Sequence, residues 1–81
     1  MKTHKIVKVE WNDSCNYRGW NQFSTAKEFD PMPCVSSGIL VKVKRGNIGI
    51  THSTSCHDVA ETIVISRKSI RSIKVIDTFK L

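Results

Sequence analysis

Asp13 and Ser14 stand side by side after an alternating apolar run, and three histidines, His4, His52 and His57, lie elsewhere in the chain. By residue type alone these could make a hydrolytic triad. The setting argues otherwise. Ser14 lacks the Gly-x-Ser-x-Gly context that presents a nucleophile on a strand-to-helix elbow, and no two carboxylates are placed for acid–base work. Side chains of this kind after a strand more often cap loop amides, so the chain reads as a non-enzyme. His52, Cys56 and His57 fall within six residues of one another, with Cys15 and Cys34 further off. A structural zinc site uses two short-spaced ligand pairs, and here there is one cluster. No metal or cofactor is expected. Cys34 and Cys56 then serve as small apolar fillers, and His52 and His57 as solvated loop residues.

The stretch VEWNDSCNYRGW, residues 9–20, points to a different chemistry. Three of the six aromatic residues of the chain, Trp11, Tyr17 and Trp20, fall there, beside Arg18. Aromatic faces take the faces of bases, at roughly 1–3 kcal/mol per stacked base, and an arginine clamps phosphate or stacks in turn. Trp11 continues the register of Val7 and Val9 and reads as a core residue at the edge of the core. Trp20 has no such register. Tyr17 and Arg18 flank the turn before Gly19 and are expected on the surface, while Asp13 and Ser14 fix the loop and offer polar contacts.

Charge supports an anionic partner. Thirteen Lys and Arg against seven Asp and Glu give a net charge of +6 and a pI near 9.6. Between Gly38 and His57 there are three basic residues, Lys42, Lys44 and Arg45, and no acid. Between Ser66 and Leu81, Arg67, Lys68, Arg71, Lys74 and Lys80 outnumber Asp77. Such a field draws nucleic acid, nucleotides or acidic protein surfaces; the plainer reading is a solvated surface that confers solubility. Lys42, Arg67 and Lys68 are the expected phosphate neighbours.

The elements that must position these residues are short strands. Residues 5–11 alternate, with Val7, Val9 and Trp11 on one face and Lys8 and Glu10 on the other. Residues 12–24 read as loop. Thr25 and Glu28 have capping-box spacing for one helical turn that Pro31 ends. A second strand is expected over 34–44 and a third over 48–53, joined by a tight Arg45-Gly46-Asn47 turn in which Gly and Asn tolerate positive φ. A fourth strand is expected over 62–66, a single 3₁₀ turn in SRKSI, and a fifth strand over 70–75. The pattern predicts an all-β domain: a small five-stranded SH3-like or Sm-like barrel, with a short 3₁₀ turn before the last strand and at most one helical turn near residues 25–30.

Eighty-one residues make a single domain, 1–81. A chain of this size has little room for a deep private pocket beside its core. No stretch is apolar enough to span a membrane, and the N-terminus lacks an apolar run of signal-peptide length. The odd number of widely spaced cysteines suggests reduced thiols. The expected location is therefore intracellular.

Four motifs occur in order: VEWNDS, Gly19-Trp20, CVSSGIL at 34–40, and ETIVISRKSIRSI at 61–73. Together they resemble a family of small bacteriophage proteins with a Trp-x-Asp-Ser start, a Gly-Trp, a Cys-x-Ser-x-Gly and a late Ile-Pro-x-x-x-Ile. Trp11, Asp13, Ser14, Gly19, Trp20, Cys34, Ser36 and Gly38 fall on motif positions. The chain departs at Ser66, where the family more often has proline, and at Ile39, where an aromatic is common. The family resembles the anti-CBASS 4 proteins. That resemblance implies a phage-encoded sponge in the host bacterial cytoplasm, which binds cyclic di- or trinucleotide immune signals such as 3',3'-cGAMP without cleaving them. Holding such a ligand needs burial in a concave site, which for so short a chain implies a homo-oligomer with the site between subunits. Two alternatives stand beside it: an Sm-like nucleic-acid-binding module, and a phage protein that inhibits a host protein by direct binding.

Overall fold

The computed structural model describes residues 1–13 and 19–81; Ser14, Tyr17 and Arg18, three of the expected ligand contacts, lie outside the described residues. Five strands follow one another: β1 (Thr3–Asp13), β2 (Met32–Lys42), β3 (Ile48–Thr54), β4 (Val59–Ile65) and β5 (Ile70–Lys80). A one-turn helix, α1 (Phe23–Ala26), precedes β2, and 3₁₀ turns at Lys44–Gly46 and Arg67–Ser69 lead into β3 and β5. The protein is all-β, as the alternation predicts. Among the described residues no helix is long and apolar enough to cross a membrane.

All pairings are antiparallel, in the order β4-β3-β2-β1-β5. The first and last strands of the chain are therefore neighbours, and β1 lies between β2 and β5. Val9 opposes Ser36 on one side and Ile73 on the other; Val7 opposes Gly38 and Val75. Directly opposed residues share a sheet face, so Val7 and Val9 carry the inward stripe across three strands. Both are fully buried, and with Ile50 and Ile65 they form the core. Trp11, Leu40, Ile48 and Ile70 pack around it.

Two devices shape the sheet. Gly38 lies where β2 meets β3: a Cβ there would sit 2.6 Å from Ile50 Cγ2 and 2.7 Å from the Thr51 carbonyl oxygen. Only a residue without a side chain permits that approach. In β4, Glu61 takes φ 56°, which interrupts pairing between Thr51↔Thr62 and Ser53↔Ala60. The buried Thr51 hydroxyl donates to the Ala60 carbonyl at this break and satisfies itself there.

Three details differ from expectation. The barrel is not closed: β4 and β5 are the two ends of the strand order, each paired on one side only. Alternation reports which face of a strand is buried but not whether the outer edges meet. The helical turn falls near the expected residues 25–30, at Phe23–Ala26 with a following turn bond from Glu28 N to the Thr25 carbonyl at 3.1 Å, but its cap differs. It opens at Gln22, whose carbonyl accepts from Ala26 N at 2.9 Å, and no side chain caps it, so the Thr25–Glu28 box is not formed. In the 45–47 turn, positive φ falls on Arg45 (64°) and Gly46 (73°), while Asn47 stays at −68°.

Gly38→Ala is expected to overpack the β2–β3 contact and to cost about 1–3 kcal/mol. A circular-dichroism melt should show a fall of at least about 4 °C per kcal/mol lost.

Candidate functional site

Two backbone turns bring four basic residues together. The first 3₁₀ turn ends just before Ile48, and the second begins just after Ile65. Ile48 and Ile65 oppose each other in the β3–β4 ladder, so the turns are adjacent at one end of the sheet. Asn47 Oδ1 accepts a hydrogen bond from the Arg67 backbone N at 3.2 Å. Gly46 lies against the Arg67 side chain: a Cβ on it would stand 3.5 Å from Cδ and from a guanidinium nitrogen. The double turn thus presents Lys44, Arg45, Arg67 and Lys68, all exposed, with exposed Lys42 opposite Ile48 at the end of β2. Neither turn contains an acidic residue. Among the described residues none of these five cations forms a salt bridge; the one ion pair, Lys8–Glu10 at 3.6 Å, is elsewhere.

The backbone here is strained. Arg45 holds φ 64°, a conformation costly for a residue with a Cβ. Glycine would adopt it more readily, and a glycine follows. Strain of this kind tends to occur where function needs it. Arginine at this point projects five N–H donors from the tip of a turn, suited to bidentate contact with phosphate.

The expected site residues separate into groups. Arg67 and Lys68 lie in the double turn and Lys42 borders it. Trp11 is half-buried: its indole Nε1 donates to Ser36 Oγ at 3.0 Å, and its ring packs against the core. That bond joins two motif positions, and Gly38, a third, sets the β2–β3 distance, so these three residues have structural roles. Asp13 is exposed at the end of β1, opposite Met32. Trp20 stands wholly in solvent at 104% of its reference exposure, following Gly19 at φ 79°. Among the described residues no hydrogen bond or ring stacking joins Trp20 to the double turn. Lys44 and Arg45 are additions to the expected set; the absence of acids from 38–57 was the signal that marked them. Asn47 also joins the set, as the brace between the turns.

Among the described residues the concave surface is open. Grooves of about 380 Å³, lined by Ser36, Ser37, Thr51, His52, Glu61 and Ile63, and about 450 Å³, lined by Lys2, Thr3, His4, Lys5, Leu40 and Lys42, both open to solvent. Among the described residues no three His, Cys, Asp or Glu side chains gather as a metal site.

With this geometry in view, no protein-family model, no curated protein and no solved structure matches the chain.

Arg45→Gly separates binding from folding. Removing a charge-assisted contact should weaken phosphate-ligand binding about tenfold or more, while relief at φ 64° leaves the melting temperature unchanged or raised. Trp11→Ala should lower the melting temperature by removing the Ser36 bond and core contacts, whereas Trp20→Ala should leave it unchanged.

Proposed function

We propose that this chain is a phage-encoded sponge that binds and sequesters a cyclic oligonucleotide immune signal, such as 3',3'-cGAMP, without cleaving it, and so blunts CBASS-type host defence. The observation that carries the reading is the braced pair of 3₁₀ turns, which sets Lys44, Arg45, Arg67 and Lys68 side by side with no acid in either turn. Two phosphodiesters in one small ring require cations at two nearby points, and the double turn supplies them on a backbone held by Asn47. Trp20 offers an exposed π-face for a base. The four ordered motifs support the same reading. The grooves among the described residues open to solvent, and in this reading a second copy covers the ligand so that most of its surface is buried.

The same cations would meet an RNA backbone, and salt dependence distinguishes the two. A single strand held by five cations loses affinity with a slope of about −3.5 in log K against log salt. A ring with two phosphates gives a much shallower slope.

A thermal-shift screen against cyclic di- and trinucleotides, with linear dinucleotides and a short RNA as controls, tests the proposal. At a hundred times Kd a ligand that binds only the folded state adds about 2.7 kcal/mol, a shift of more than about 10 °C for a domain of this size. The ligand should be recovered intact. No shift with any cyclic nucleotide, or recovery of a cleaved product, contradicts it.

A further inference from the structure

Strands β1 and β2 part company before either ends. Their ladder stops at Ile6↔Ile39, although β1 reaches back to Thr3 and β2 runs on to Lys42. From Thr3 to Ile6, β1 stays with β5; from Ile39 to Lys42, β2 turns to β3. The β1–β5 register shifts between Ile6 and Val7, at the point of parting, and a bulge of this kind bends its strand. The groove of about 450 Å³ lies in the resulting fork, with Lys2, Thr3, His4 and Lys5 on one wall and Leu40 and Lys42 on the other.

Three lysines and no acid line this fork. All three are exposed, and among the described residues none of them forms a salt bridge. Asp77, opposite Ile6 on β5, lies outside the lining and accepts a hydrogen bond from Thr78 N at 2.8 Å. The wall that carries Lys2 and Lys5 is fixed from behind. Lys2 and Leu81 exchange both backbone hydrogen bonds, at 3.1 and 3.0 Å, and the His4 ring stacks on Phe79 with centroids 5.3 Å apart. Ammonium groups gathered on such a frame repel one another, and an anion entering between them relieves that repulsion.

Charge selects the anion. A carboxylate or a phosphodiester brings a single negative charge. A phosphomonoester brings roughly −1.5 to −2 near neutral pH, with three strong acceptor oxygens, which ammonium groups on two facing walls can meet together.

We propose that the fork between β1 and β2 binds a terminal phosphate, carried by a small nucleotide or present as the free ion, and that Lys2, Lys5 and Lys42 hold it. A cyclic dinucleotide contains only diesters. The fork is therefore a second anion site beside the double turn, and it stands or falls separately from the sponge reading.

Backbone amide shifts of the isotope-labelled full chain, followed at fixed ionic strength during titration, test the proposal. Adenosine 5'-monophosphate and inorganic phosphate are the probes. Cyclic adenosine monophosphate, a diester, and a short polyglutamate peptide are the controls. Saturable shifts at residues 2–5 and 40–42 are expected with the probes and not with the controls. Binding of the nucleotide about tenfold or more tighter than phosphate identifies a nucleotide as the carrier; equal affinity identifies the phosphate group alone. Lys2→Gln with Lys5→Gln should weaken binding about tenfold or more with the circular-dichroism melt unchanged, and Arg45→Gly should leave it unaltered. No saturable shift in the fork with either probe, an equal response to the diester or the peptide, or full affinity in the folded double variant overturns the proposal.

Discussion

Everything in this small domain hangs on β1 and its two fully buried valines. Val7 and Val9 are the inward residues of a strand paired on both sides, with β2 along one edge and β5 along the other. The chain must be synthesised to its last strand before that arrangement can form, so the decisive contacts are long-range and their loop-closure entropy is met late. What the valines secure is correspondingly large: the hairpins β2–β3 and β3–β4 extend from one side of β1, and β5 rides on the other. Among the described residues the core they anchor has four buried apolar side chains. A core this small leaves the outer strands half covered and the connecting turns free to carry charge.

The turns use that freedom. Neither 3₁₀ turn contributes a buried side chain. They are fixed instead by the ladder that places Ile48 opposite Ile65 and by one side-chain-to-backbone bond from Asn47 to Arg67. Among the described residues these positive charges are held by backbone geometry and form no ion pair. That is a suitable arrangement for meeting phosphate, because the cations need not break an internal salt bridge to bind. The left-handed Arg45 is the local expense of this presentation.

Much of the fold was legible from the sequence because its information is local. The alternation of Val7, Val9 and Trp11, and of Ile48 and Ile50, specifies strands whose inward residues are those found inside; Ser-Arg-Lys-Ser marks the 3₁₀ turn. The strands themselves run longer than alternation implied, β1 from Thr3 to Asp13 and β5 to Lys80, since ladder bonds continue past the last buried side chain. Sheet closure was not legible, because it depends on where two remote edges lie. The choice of Arg45 over Asn47 for positive φ was also hidden: Asn47 is committed to Arg67, twenty residues away in sequence. Within the candidate site, Arg67 and Lys68 could be named from charge alone. Lys44 and Arg45 were marked by the absence of acids from 38–57, but their placement beside Arg67 required the ladder register, and the role of Gly38 required the distance to Ile50.

The most direct test of the account is a map of ligand contacts on the folded chain. Backbone amide shifts of isotope-labelled protein, followed during titration with a cyclic dinucleotide, should move most at Lys44–Asn47 and Ser66–Lys68, with the Trp20 indole responding alongside. Shifts confined to other parts of the sheet, or none at saturating nucleotide, would contradict the assignment of the double turn as the phosphate site.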